Sequence, residues 1–318
     1  MTATQVVDNP GDTPGDAANA EATARSRRDE TWRRRAPLLF VTPMAVLAFL
    51  FVFFPAVLTF IGSWFHIPLA GGNWTFVGTA NYERIFTDPH SQRAIVNTVV
   101  YSVGTIIPSL VLGLALAMLA NSIVRGRALV RTLLFLPMTA NLVAMAVVFT
   151  YIFDVRGGAA NQLIGMVGIA PINWLGSTDY ALTTVMLVGV WRTASFTMMI
   201  FFAGLATVPG TMLEAARMEG IGGFTQLTRI ILPVMKPTVV FAVVMAILQS
   251  IQAFDTVRVM TDGGPQYSSE LILTHAWRLG FQYFDLGGAS AMSFLMVVAL
   301  VAVGLWQRRI LAGKKDDR

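Results

Sequence analysis

The stretch Val208–Pro237, VPGTMLEAARMEGIGGFTQLTRIILPVMKP, is the one long segment beyond the N-terminal tail that is not apolar and still reads as helix. Pro209-Gly210 ends the hydrophobic run before it, and Thr211 with Glu214 three residues later has the Thr-x-x-Glu spacing of a capping box, which predicts a helix start. Gly220 predicts its end, because glycine tolerates the left-handed conformation of a helix cap. Gly222-Gly223 make a second break, and a short segment then runs to Ile230, Leu232 and Pro233. The helix expected here carries Glu214, Arg217, Met218 and Glu219 beside the small residues Ala215 and Ala216. Small side chains flanked by charge suit a helix laid into another protein's groove, where backbones approach closely. A linker helix lying on a membrane surface is the plainer alternative.

What flanks this stretch is apolar. The 318 residues are 55% hydrophobic and 13% charged, where soluble domains carry about 25% charged residues. Six runs are long enough to span a bilayer: Pro37–Gly62, Ala94–Ala120, Val130–Phe153, Ala181–Val208, Pro233–Phe254 and Gly287–Trp306. An all-α membrane protein follows, with a six-helix domain over 37–310, an N-terminal tail over 1–36 and a C-terminal tail over 311–318. The first 24 residues, rich in Ala, Asp, Thr, Gly and Pro, read as disordered. The first run is too long for a signal-peptide core and reads as a retained helix.

Basic residues orient these runs. Of the 23 Lys and Arg, seventeen fall in the tail (Arg25, Arg27, Arg28, Arg33, Arg34, Arg35), around Arg125/Arg127/Arg131, around Arg217/Arg229/Lys236, and at the C-terminal end. The opposite loops hold Arg84, Arg93, Arg156, Arg258 and Arg278, and Arg192 lies inside a run. By the positive-inside rule both termini and the 208–237 loop are cytoplasmic. Orientation alone accounts for the basic tail, though it also suits anionic membrane lipid. The net charge of +5 therefore does not point to nucleic acid. There is no cysteine, hence no disulfide or thiol chemistry, and His66, His90 and His275 are scattered over external loops with no second ligand at metal spacing.

Polar groups inside a bilayer are costly and face a protein interior or a water-filled path. The fifth run offers Gln249, Ser250, Gln252 and Asp255, of which Gln249, Gln252 and Asp255 lean to one side of a helix. The fourth offers Trp191, Arg192 and Thr193, with Phe196 one turn on; Asn97 and Asn141 are further candidates. Amide, hydroxyl and guanidinium groups beside aromatic faces suit an uncharged polyol. Helix–helix glue is the alternative for Gln and Ser, and pairing with a carboxylate of another chain for Arg192. No catalytic constellation appears: no paired carboxylates within the runs, no Gly-x-Ser-x-Gly, and no phosphate loop, since Gly313-Lys314-Lys315 lacks both the preceding glycine and the hydroxyl residue.

Glu214-Ala215-Ala216, then Gly220, then Ile230, Leu232 and Pro233 resembles the ATPase-docking loop of ABC-importer membrane subunits, with every spacing kept. Glu219 stands where that family more often has Asp, and Ile221 where it often has Ala. NYERIFTDPHSQRAIVNT, NSIVRGRALVRTLLFLP, Phe254-Asp255, Thr261, Gly263-Gly264-Pro265 and Phe284-Asp285-Leu286-Gly287 resemble the first membrane subunit of maltose-permease-type carbohydrate importers. The resemblance covers about residues 37–310 and is closest to actinobacterial disaccharide systems of the mycobacterial trehalose-import kind. It implies an ABC type I importer permease in a bacterial cell membrane, with docking through Glu214 to Gly220. It further implies a different second permease subunit (a heterodimer), a pair of ATPase subunits that bind the ATP and Mg, an extracytoplasmic solute-binding protein and a sugar. No cofactor is expected on this chain. A permease for another solute class and an ion-coupled secondary transporter remain as alternatives; the latter needs an intramembrane carboxylate, for which only Asp255 is available.

Overall fold

The computed structural model describes residues 40–68, 72–123 and 126–312. The expected N-terminal tail, the C-terminal tail beyond residue 312, and Arg125 lie outside the described residues. The chain divides into two compact units at Leu58/Thr59. The described part of the first lies in one helix, α1, which runs Phe40–Gly62 and so ends in the second; it contains a π-turn at Phe49–Phe53 and buries none of its most apolar stretch.

The second unit is built on α3 (Pro89–Ser122) and α7 (Ala181–Leu205). They run antiparallel: Tyr101 packs with Val185 and Val188 at one end, and Ala117 with Met198 and Phe201 at the other. Close approach depends on missing side chains. A Cβ on Gly113 would overlap the Thr197 hydroxyl, and one on Gly189 would overlap the Tyr101 hydroxyl. The contact is then tied by hydrogen bonds, with the Thr197 hydroxyl donating to Ser109 O at 2.9 Å and the Ser109 hydroxyl to Val190 O at 3.4 Å. Small residues and side-chain hydroxyls are what hold helices together where lipid removes the hydrophobic drive between them.

Before α3 come a two-residue hairpin, β1 (Phe65–His66) with β2 (Thr75–Phe76), and the short helix α2 (Ala80–Thr87). Trp64 and Tyr82 meet edge to face at 5.7 Å, and Phe65 lies 5.9 Å from Trp74, so these aromatics pack on one another.

The third apolar run departs from expectation. It is not one straight span but α4 (Arg127–Thr139) and α5 (Leu142–Ile152), bent by 98°. The break has a local cause. Ala140 and Asn141 are extended, and the Asn141 carbonyl side chain accepts from Ala144 N–H at 3.1 Å, so it starts a new helix. Pro137, four residues before Asn141, removes a backbone donor from the end of α4. With the bent pair taken as one span the described residues hold six candidate spans, and five without it.

The short helix α6 (Ala159–Gly165) precedes α7, and α8 (Gly210–Met218) and α9 (residues 223–234) follow it. The fifth run starts at Lys236, later than expected: α10 (Lys236–Ile251) loosens at 252–254 and resumes as α11 (Asp255–Met260). Last come α12 (Ile272–Phe281) and α13 (Leu286–Ala312).

Candidate functional site

The expected cap of α8 is not formed at Thr211. The helix begins at Gly210, so Thr211 and Glu214 both lie within it and no side chain caps it; Pro209 O instead accepts from Met212 N–H at 3.1 Å. Pro209, extended and without a donor of its own, does what the hydroxyl was expected to do. The other end agrees with the reading. Gly220 has φ +70°, Ile221 N–H bonds Ala216 O and Gly220 N–H bonds Arg217 O, both at 3.0 Å. That is the paired bond of a Schellman cap.

These two ends fix which side chains α8 presents. Ala216 is 3% exposed and faces its own domain, and half-buried Leu213 packs against the core cluster that contains Ile231 and Met235. Glu214, Ala215, Arg217, Met218 and Glu219 all face out, Met218 at 89%. Phe224, at the start of α9, is 78% exposed. Sequence reasoning passed over Phe224, because a phenylalanine beside a glycine pair reads as an ordinary anchor. The result is a charged ridge that also presents two large apolar side chains, Met218 and Phe224.

Against the α3–α7 pair lies a cavity of about 60 Å³. Six of the residues singled out in the sequence line it: Arg192 and Thr193 from α7, Gln249 and Ser250 from α10, and Gln252 and Asp255 across the break into α11. The step-of-three pattern does bring Gln249, Gln252 and Asp255 to one place, but by the loosened backbone at 252–254 rather than by a continuous helix face. Ser250 is buried and its hydroxyl donates to Ile247 O at 2.9 Å, while Arg192 Nε is buried with no hydrogen-bond partner. Tyr101, Leu142 and Gly189 are among the other walls and were not foreseen, since they sit within apolar runs.

Other expected residues lie elsewhere. Trp191 packs edge to face on Phe149 at 5.1 Å, and with Arg192 lines a smaller adjoining crevice. Phe196 is outside the cavity lining. Asn141 caps α5. Asn97 is buried and donates to Tyr267 O at 3.0 Å and Glu270 O at 3.1 Å, holding the loop before α12.

That loop is anchored by a polar cluster that was not expected. Glu270 is fully buried, with Arg278 Nε at 2.8 Å and His275 Nδ1 at 3.4 Å from Oε1. His275 is buried too, not solvated in a loop, and its Nε2 lies 3.0 Å from the Ser91 hydroxyl. Ser91 donates from both N–H and hydroxyl to Asp88 Oδ2 at 2.8 Å. Burial pushes the Asp88 carboxyl up, but these bonds and neighbouring His90 outweigh it and hold it below the usual carboxylate range. The Tyr267 hydroxyl, 2.9 Å from that of Tyr283, is pushed above the usual phenol range by that bond first and by burial second.

Comparison with known proteins gives this arrangement a family. Residues 98–316 match the model of the binding-protein-dependent transport system inner membrane component. The chain is 30% identical over 282 residues to the sulfoquinovosyl glycerol transport system permease protein SmoG of Agrobacterium fabrum, spanning 88% of this chain and 92% of that one. It is 26% identical over 265 residues to the trehalose/maltose transport system permease protein MalF of Thermococcus litoralis, spanning 83% and 88%. The crystal structure of a bacterial ABC transporter involved in import of the acidic polysaccharide alginate matches in fold, with a TM-score of 0.78 at 20% identity over 91% of this chain and 99% of that chain. With more than half of its length inside the family model and the matching fold around it, the chain belongs to the binding-protein-dependent inner membrane components, the permease subunits of ABC transporters, and is a transport subunit rather than an enzyme.

Proposed function

We propose that this chain forms half of the translocation path of an ATP-driven importer for a carbohydrate, a disaccharide such as trehalose foremost. The observation that carries it is the shared cavity of Arg192, Thr193, Gln249, Ser250, Gln252 and Asp255 at the break between α10 and α11. Its amides, hydroxyls and guanidinium match a polyol, and the relative named for trehalose and maltose supports the substrate class. A cavity of about 60 Å³ is far short of the roughly 300–1,000 Å³ of small-molecule sites. The remaining walls belong to a second permease subunit, read from the family resemblance as a different chain.

Both termini and α8 face the cytoplasm, on the evidence of the basic residues. There the ridge of Glu214, Ala215, Arg217, Met218 and Glu219, with Phe224 beside it, docks on one of two ATPase subunits, which hold the ATP and Mg. A solute-binding protein delivers the sugar to the opposite face. Closure of the ATPase pair moves α8, and the attached spans rock to alternate access.

Uptake by the reconstituted complex tests this. Radiolabelled trehalose should enter proteoliposomes only with ATP inside, the binding protein outside and both permease chains present; uptake driven by an ion gradient without ATP overturns the reading. Arg192→Gln should lower uptake about tenfold, the worth of one charge-assisted hydrogen bond, without loss of the ATPase.

A second substrate reading rests on Arg192. Its Nε, buried beside a polar cavity without a partner, also suits a negatively charged glycoside, as the relative named for sulfoquinovosyl glycerol suggests. Anionic glycoside uptake that exceeds trehalose uptake and collapses in Arg192→Gln would favour it.

A further inference from the structure

Arg131 has no part in docking or in the cavity, yet its chemistry is incomplete. It lies in the second turn of α4, about 6 Å along the axis from the helix start, at the end of the α3–α7 pair that carries α8. Its Nε and Nη2 are buried without a hydrogen-bond partner, and its guanidinium carbon lies 4.1 Å over the Phe202 ring. An aromatic face offsets part of the charge but accepts neither N–H.

Around it opens a groove of about 280 Å³ whose other walls are Ala120, Thr132, Phe135, Met198, Met199 and Phe202. Among these walls there is no carboxylate. Thr132 donates its hydroxyl proton to Ala128 O at 3.0 Å, and neither buried Arg131 nitrogen reaches its oxygen. One fixed positive charge with two unused donors thus stands beside a surface of thioether, phenyl and methyl groups. A ligand that satisfies both parts is anionic at one end and a hydrocarbon at the other.

We propose that this groove binds an anionic phospholipid. A phosphodiester oxygen accepts from Nε and Nη2 of Arg131, the paired geometry for which guanidinium is suited. The acyl chain lies against Phe135, Met198, Met199 and Phe202, where the unbranched methionines adapt to a flexible chain. The level of the groove agrees: Ala120 is two residues from the end of α3 and Phe202 three from the end of α7, where a headgroup phosphate and the first methylenes meet.

Native mass spectrometry of the full chain in neutral detergent tests the site, with phosphatidylglycerol, phosphatidylcholine and inorganic phosphate as probes. Readings are taken at about 0.5 M salt, where attraction to the exposed basic tail is screened. The wild type should retain phosphatidylglycerol about tenfold over phosphatidylcholine, Arg131→Gln should lose that preference, and Arg131→Lys should keep part of it. Met199→Asp, at an exposed position on the groove wall, should also abolish retention while the chain stays folded, which keeps the test valid if Arg131→Gln fails to fold. Equal preference in the wild type and both Arg131→Gln and Met199→Asp overturns the proposal. So does full displacement by inorganic phosphate, which marks a simple anion site. Release of a copurifying second permease chain from Arg131→Gln with lipid retention unchanged overturns it too, since the occupant is then a protein carboxylate.

Discussion

Glu270 shows how much one buried carboxylate can hold. Its Oε1 receives Arg278 and faces His275, its backbone carbonyl receives Asn97, and it is fully buried. Removing one partner of a buried ion pair strands the other charge, at a cost of about 3–5 kcal/mol. Glu270→Ala is therefore expected to lower the unfolding temperature of the detergent-solubilised chain by more than any single substitution on the outer face of α8. Nearby Asp88 gives a pH dependence. Its carboxyl is held below the usual range in the folded chain, so the stability it contributes is present above the unfolded value of about 3.9 and lost as pH falls through the lower folded value. Asp88→Asn should flatten the fall in unfolding temperature on acidification and leave the neutral-to-alkaline range unchanged. None of this cluster was legible in the sequence, because Asp88, Ser91, Glu270 and His275 meet only through the fold. Asn97 was noticed for its polarity, but where that polarity is used depends on a loop some 170 residues away.

At the scale of elements, local signals were read correctly where a single residue decides the backbone. Gly220 was expected to close α8 and does so with positive φ. Gly220→Val should cost about 1–2 kcal/mol, the strain of a left-handed non-glycine residue, and weaken ATPase retention by fraying the end of the helix. The helix cap was misplaced by two residues because Pro209, not Thr211, stands at the start. The bend between α4 and α5 was missed for a different reason. Hydropathy sums over Val130–Phe153 and is blind to direction, whereas Pro137 and Asn141 are the residues that turn the chain. Glycines offer a sharper test of packing. Gly113→Leu meets the Thr197 side chain and Met198 N, while Gly304→Ala meets nothing within 4 Å. Size-exclusion chromatography should show aggregation for the first and an unchanged peak for the second.

Within the second unit, α8 and the cavity are linked through α7 and α10. α7 carries Arg192 and Thr193 at the cavity and leads within a few residues into α8, and α9 returns the chain to α10, which carries Gln249 and Ser250. A displacement of α8 is thus delivered by short connections to two of the helices that line the cavity. The overall architecture was legible because long apolar runs and basic residues at their ends report on the bilayer, which acts on every span alike. The cavity was legible only in part. Polar side chains in apolar runs announce themselves, whereas Tyr101 and Gly189 serve the same cavity through shape alone.

The measurement that bears most directly on the central claim is copurification of the detergent-solubilised full chain with its ATPase, comparing the wild type with Glu214→Lys, Met218→Asp and Phe224→Asp. All three positions face outward, so the variants should fold with unchanged helicity and each should lose about tenfold or more of the retained ATPase, as expected for central contacts of an interface. Full retention of the ATPase by all three folded variants would contradict the account and place the contact away from α8.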